Sequence, residues 1–217
     1  MPSAKSAAGE NRCSMALVDS YQGFIFDYGG VLAHHQSDSD QARMAALAGV
    51  DPELFTELYW ADRLDYDKAA VTGPEYWQNI ARRAGTLLTP DIIEQLTEID
   101  NVSWMQFDSV MWDWIDQLRK AGKRVAMLSN MPLDLGEALK ARTDKLRDFD
   151  HVTLSYKVRS AKPEPAIYEH CLEGIGTAPE DTLFLDDRAA NIQGAELLGI
   201  RAVQFTSRDE VLLRLRA

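Results

Sequence analysis

The sequence predicts an α/β fold: a Rossmann-like parallel sheet flanked by helices, with an all-helical cap inserted after the first strand. Three observations predict it. After residue 105, short apolar runs alternate with segments of helical periodicity. Those runs lack the polar alternation of a half-exposed strand, as expected for parallel strands covered on both faces. Between about residues 36 and 104 the strands vanish and four helical segments follow one another.

The elements follow in chain order. Residues 1–20, "MPSAKSAAGENRCSMALVDS", are small and polar and read as a flexible tail. They hold no continuous apolar core, so no secretory signal is read there. The stretch "GFIFDYGGVLAHH" is a buried strand that ends on Asp27 and turns through Gly29 and Gly30. The helical segments are "DQARMAALAG", "DPELFTELYWADRL", "TGPEYWQNIARRAG" and "TPDIIEQLTEID". Three starts are well marked: Asp51-Pro52, Thr72 with Glu75 three positions on, and Thr89-Pro90. Then come the helix "DSVMWDWIDQLRKAG", stopped at Gly122, and the strand "KRVAMLSN". "PLDLGEALKAR" reads as helix, "HVTLS" as strand, "PEPAIYEHCLEGIG" as helix and "DTLFLDD" as strand. "AANIQGAELLG" is a helix closed by Gly199, "IRAVQF" a strand, and "SRDEVLLRLRA" a last helix with a capping box from Ser207 to Glu210. This places an α/β core at 21–35 and 105–217 and a helical cap at 36–104. No internal repeat, low-complexity tract or long linker interrupts the pattern.

The chain has 217 residues, 46% of them hydrophobic, enough for one large domain or one domain with an insert. Its net charge of −11 argues against nucleic acid or an anionic membrane as the main partner. Two cysteines without metal-ligand spacing fit a reducing compartment, and a cytoplasmic location is expected. No apolar run approaches the about 20 residues of a membrane span.

In an open parallel sheet, ligands bind beyond the carboxyl ends of the strands. The readable ends carry Asp27, Ser129 with Asn130, and Asp186 with Asp187, and a nearby connection carries Lys162. Each alone has an ordinary explanation as a turn, a helix cap or a solvated charge. Together they bring three carboxylates, a hydroxyl, an amide and an ammonium to one edge. Carboxylates so placed repel unless a cation is present. Oxygen ligands without histidine or thiolate favour Mg²⁺ together with a substrate phosphate. Ser129, Asn130 and Lys162 supply the donors and positive charge that a phosphoryl dianion needs. The set suits phosphoryl transfer on a small phosphorylated metabolite. The glycines let a backbone carbonyl reach a metal and let substrate come close.

The segments "FDYGGVL", "MLSN", "AKPEPAIY" and "FLDDRAANIQGAELLGI" resemble the haloacid dehalogenase-like hydrolase superfamily, in its order, with the insert where its type 1 cap occurs. The resemblance covers about residues 22–206 and is nearest to the phosphatase branch that includes bacterial sugar-phosphate phosphatases and the amino-terminal domain of soluble epoxide hydrolases. It implies that Asp27 is a nucleophile forming an aspartyl-phosphate. One oxygen of Asp27, the Gly29 carbonyl and Asp187 would hold Mg²⁺, with Asp186 beside it or in its outer shell. Ser129 and the Asn130 backbone N–H would bind the transferring phosphoryl, and Lys162 would offset charge.

The sequence departs from that branch at Gly29, where its phosphatases usually carry a second aspartate that protonates the leaving group and activates water. Such help is worth roughly 10²–10⁴-fold. Three explanations stand open: a substrate with a good leaving group, such as a sugar 1-phosphate; a substitute acid such as His34, His35 or the cap residue Asp65; or reduced activity. The same departure keeps two alternatives in view: a 2-haloacid dehalogenase, which has no use for the pair Asp186–Asp187, and a non-catalytic binding module.

In the cap, Arg63 is a candidate for facing a phosphate or sugar, and His34 for a substrate contact. Trp60, Tyr76 and Trp77 are expected to form the cap's own core, because a small helical unit needs aromatic burial. Trp112 and Trp114 are assigned to packing. Hinges for cap opening are expected near 33–38 and 101–106.

Overall fold

Side chains alternate along a strand, and each central strand of this chain uses both faces. Phe24, Phe26, Val125, Met127, Leu183 and Leu185 enter one apolar cluster. The residues between them, Ile25, Ala126, Leu128 and Phe184, enter another on the opposite face. The absence of polar alternation has this cause.

The computed structural model describes residues 17–216. Residues 1–16 of the sequence-read tail lie outside the described residues; Leu17–Ser20 form a 3-10 turn, with Val18 against the core. The elements are β1 (Gly23–Phe26), α1 (Asp38–Ala48), α2 (Pro52–Ala61), α3 (Arg63–Asp67), α4 (Gly73–Ala84), α5 (Pro90–Ser103), α6 (Ser109–Lys120), β2 (Arg124–Ser129), α7 (Leu133–Arg142), β3 (His151–Leu154), α8 (Ser155–Val158), α9 (Pro165–Ile175), β4 (Thr182–Asp186), α10 (Ala189–Glu196), β5 (Arg201–Gln204) and α11 (Arg208–Arg216). The five strands form one parallel sheet in the order β3-β2-β1-β4-β5. Trp114, Ile115 and Leu118 of α6 and Leu135 and Leu139 of α7 cover one face. Ile167, Tyr168, Cys171 and Ile175 of α9, with Ile192 and Ala195 of α10, cover the other.

Helices α1–α5 have a hydrophobic cluster of their own, with Phe55, Tyr59, Tyr76, Trp77, Ile80 and Leu96 at its centre. Their starts are fixed locally. Asp51 and Thr89 each cap a helix that opens on proline, and Thr72 with Glu75 forms a reciprocal capping box. The chain leaves and re-enters the sheet domain side by side, with the His34 N–H donating to the Gln106 carbonyl at 2.8 Å. Helix α5 runs to Ser103, so the first part of the expected 101–106 hinge is helical.

Two readings need correction. "DPELFTELYWADRL" is two helices, not one, because Asp62 leaves helical geometry (φ −111°, ψ 11°) and α3 starts afresh. The capping box at Ser207 forms only in half: the Glu210 N–H reaches Ser207 Oγ, but the Glu210 carboxylate accepts from the Thr206 hydroxyl.

Candidate active site

In the three central strands Phe26 of β1 pairs with Met127 of β2 and with Leu185 of β4, so Asp27 and Asp186 come side by side at the carboxyl edge and Ser129, two residues after Met127, reaches the same edge. Lys162 reaches the same point from the loop before α9. Its ammonium lies 2.7 Å from Asp27 Oδ1, 2.6 Å from Asp186 Oδ2 and 3.0 Å from the Leu128 carbonyl. All three N–H donors are thereby engaged, and the side chain is buried. Burial opposes the charge on Lys162, but Asp186 and Asp27 outweigh it and hold its pKa above the ordinary value.

The three aspartates are not equivalent. Asp186 is fully buried and also accepts the Arg188 N–H at 2.8 Å and the Asn191 amide at 2.9 Å. Burial acts to raise its pKa, yet Lys162 and these donors bring it below the usual carboxylate range. Asp27 is pushed well above that range, chiefly by burial and further by Asp186 and Asp187, with Lys162 opposing. Asp187 is one-fifth exposed, and its Oδ2 lies 3.2 Å from His35 Nε2. That contact, more than anything else, raises the His35 pKa.

Carboxylate oxygens of Asp27, Asp186 and Asp187 lie within 4.8 Å of one another. Three carboxylates against the one Lys162 ammonium leave an excess of two negative charges when all are ionised. A divalent cation fits this donor set: the ligands are hard oxygens, and the charge it brings is the charge that the cluster lacks. Asp27 gains most, because its ionisation is what burial and its neighbours oppose.

Around this cluster lies a cavity of about 300 Å³. Its lining includes Asp27, Gly29, Ser129, Asn130, Lys162 and Asp187. The Ser129 hydroxyl makes only a long 3.4 Å contact to the Asn130 carbonyl and is free to donate to a ligand. The Asn130 side chain is committed elsewhere. It donates to the Lys162 carbonyl at 3.0 Å and accepts the Lys162 N–H at 2.8 Å, so it anchors the lysine loop.

A family model of haloacid dehalogenase-like hydrolases matches residues 21–199. The chain belongs to the haloacid dehalogenase-like hydrolases. D-ribitol-5-phosphate phosphatase of Bacteroides thetaiotaomicron is 25% identical over 192 residues, covering 83% of this chain and 89% of that protein. The sesquiterpene phosphatase astK of Aspergillus oryzae is 28% identical over 200 residues, covering 92% and 97%. Among solved structures, the magnesium complex of the HAD family enzyme bt-2542 from Bacteroides thetaiotaomicron superposes with a TM-score of 0.74 at 25% identity, over 90% of this chain and 99% of that one. This haloacid dehalogenase-like hydrolase is accordingly a phosphatase-type enzyme, and its carboxylate cluster can hold a divalent metal ion.

Several residues sit elsewhere than the hydrolase sequence suggests. His34 is exposed and lines a separate depression with Asp108 and Arg208, whereas His35 stands in the cavity. Neighbours in an extended segment point opposite ways. Asp65 is exposed for the corresponding helical reason, and Asp67 lines the cavity instead. Trp60 is not in the cap core. It is 41% exposed, borders the cavity, and has the Arg188 guanidinium 5.6 Å from its ring centre. Tyr76 and Trp77 are fully buried in the core as expected. Arg63 borders the cavity, but its charge is taken up: Nε lies 3.0 Å from Asp67 and Nη1 3.0 Å from Asp100, and Nη1 also donates to the Tyr59 hydroxyl.

Sequence reasoning missed Trp104, Leu64, Leu135, Arg188 and Asn191, all on the cavity wall. A signal existed for some. Trp60, Arg63, Leu64 and Asp67 have the spacing of one helical face, and Asn191 lies five residues after Asp186 on the first turn of α10. Trp104 gave none, because its neighbour Gly29 is distant in sequence.

Proposed function

We infer that the chain hydrolyses a small phosphomonoester through an aspartyl-phosphate on Asp27, with Mg²⁺ as its cofactor. The observation that carries this reading is the position of Lys162, 2.7 Å from Asp27 and 2.6 Å from Asp186, on the buried wall of a cavity that Ser129 and Asp187 also line. One oxygen of Asp27, the Gly29 carbonyl and Asp187 would hold the metal. Asp186, already saturated by Lys162, Arg188 and Asn191, supports from outside. Bound Mg²⁺ would supply charge neutralisation for the phosphoryl oxygens and the nucleophile together.

The chain's own groups perform the rest. Lys162 holds Asp27 in place through Oδ1, and the Tyr28 N–H donates to the same oxygen at 2.6 Å. The other oxygen of Asp27 attacks phosphorus. The Ser129 hydroxyl and the Asn130 N–H bind the transferring phosphoryl. Water then releases phosphate and regenerates Asp27, so one difficult hydrolysis becomes two displacements. The metal-seeking excess of charge speaks against halide displacement, which needs no such cluster. A cavity of about 300 Å³ restricts the substrate to a small metabolite.

The decisive variant is Asp27→Asn, nearly isosteric and far less nucleophilic. Phosphate release should fall by ~10³-fold or more, with the fold retained by circular dichroism. Acid-quenched wild-type enzyme should carry phosphate on Asp27. Substantial turnover by the variant would remove Asp27 as nucleophile.

A further inference from the structure

Position 29 offers no acid, and the structure shows what occupies its space. A Cβ built on Gly29 would lie 3.0 Å from Cζ3 of Trp104. The indole fills the volume that a side chain at 29 would need. The proton for the leaving group must come from another wall of the cavity.

Elimination among the titratable lining residues is short. Asp27 is the nucleophile and Asp187 a metal ligand. Lys162 and Arg63 are engaged in ion pairs with carboxylates, and the Arg188 guanidinium lies over the Trp60 ring. The Tyr28 hydroxyl donates to the Trp104 carbonyl at 2.6 Å. His35 is 61% exposed and rests on Asp187. Asp67 remains. Its side chain is nine-tenths buried, its Oδ1 accepts from Arg63 at 3.0 Å, and its Oδ2 accepts no hydrogen bond among the described residues. Its backbone carbonyl accepts from Ser155 Oγ at 2.5 Å, and the same Oγ accepts the Met131 N–H at 2.8 Å. Asp67 is thus tied, through one hydroxyl, to the residue following Asn130 in the loop assigned to the phosphoryl group.

We propose that Asp67 is the general acid and base of this hydrolase, delivered from the helical insert in place of the side chain that Gly29 lacks. This deepens the phosphomonoesterase reading and rests on it. In the first displacement the Asp27 oxygen bonds to phosphorus and the ester P–O bond breaks. Its electron pair goes to the leaving oxygen, which takes the proton of Asp67 and departs as neutral alcohol. In the second, water oxygen bonds to phosphorus while its proton passes to the Asp67 carboxylate. The P–O bond to Asp27 breaks with its electrons, and inorganic phosphate leaves. Asp67 ends protonated, ready for the next cycle. Its environment keeps it able to carry that proton: burial raises its pKa, the Arg63 guanidinium opposes, Asp100 from α5 adds to the rise, and Arg188 from the turn before α10 opposes.

The test is Asp67→Asn in single-turnover release of the aryl alcohol from two aryl phosphates. With phenyl phosphate, whose leaving group needs its proton, the rate should fall about 10²-fold or more. With 2,4-dinitrophenyl phosphate, whose leaving group does not, it should fall only a few-fold, and aspartyl-phosphate should accumulate because water is no longer activated. Asp67→Glu should recover part of the phenyl phosphate rate. Tyr59→Phe, which removes the hydroxyl that Arg63 and Asp100 share but leaves both carboxylates in place, is the structural control and should treat both substrates alike. Equal losses on both substrates for Asp67→Asn, or a phenyl phosphate rate within three-fold of wild type, would overturn the assignment. Wild-type enzyme that cleaves neither ester in an Asp27-dependent way would instead sink the underlying reading.

Discussion

Two buried clusters in this molecule have nearly the same parts. At the sheet edge, Lys162 lies between Asp27 and Asp186. In the helical insert, Arg63 lies between Asp67 and Asp100. Each has one cation and two buried carboxylates, but their surroundings differ. The Arg63 cluster is backed by the Tyr59 hydroxyl and by Tyr66 and Tyr76, stacked with ring centres 4.4 Å apart, and meets the cavity only on its Arg63–Asp67 side. The Lys162 cluster lies on the same cavity and has a third carboxylate there, Asp187. A buried ion pair is weak evidence for a site. An unbalanced one beside an opening is stronger evidence, because the excess charge must be met by something that binds.

The largest effects should come from removing each central cation. Lys162→Met and Arg63→Met each leave two buried carboxylates without their partner, at a cost of about 3–5 kcal/mol in unfolding free energy. The comparison predicts different responses to metal. Millimolar Mg²⁺ should restore much of the loss in Lys162→Met, because a cation can enter that cluster, and little in Arg63→Met. Denaturant titrations with and without Mg²⁺ decide the matter; equal rescue of both would erase the distinction.

Next in size is Asp187→Asn. Without its charge the sheet-edge cluster has a carboxylate pair and one ammonium, like the cluster in the insert. The Mg²⁺ concentration for half-maximal activity should rise about 10–100-fold, and Mg²⁺ should lose most of its effect on thermal unfolding. An unchanged metal requirement would place the ion elsewhere.

The smallest effect is expected at the border between the clusters. Trp60→Ala should change stability by no more than about 1 kcal/mol, since the ring is 41% exposed and outside the insert's core. It should raise KM about 10-fold by opening the cavity wall. A large stability loss with unchanged KM would return Trp60 to the core where the sequence put it.

Much of this was legible in advance, for local reasons. Apolar runs buried on both faces announced the parallel strands, and Thr72 with Glu75 announced a helix start because a capping box spans four residues. The residues gathered at the sheet edge were legible because strand ends in such a sheet share one edge. In the insert and at its entry the reading was less sure of direction. It named Asp65 where Asp67 lines the cavity, and offered His34 with His35 where only His35 lines it, since which of two near neighbours faces inward depends on how the segment is docked. Trp60 failed differently. Aromatic composition says that a small unit needs burial, not which of its rings will be used.

The sequence by itself determined the order of elements, the parallel sheet and the carboxylates at its edge, because periodicity, capping and strand ends are properties of short segments. Only the tertiary structure decided that Lys162 would bridge Asp27 and Asp186, that Trp104 would fill the space beside Gly29, and that Asp67 would enter the cavity. Those are contacts between distant segments. The place of Asp67 depends on how the insert packs on α7 and α8, where Tyr66 reaches Asp134 and Ser155 reaches Asp67, and no pattern confined to one segment encodes any of the three.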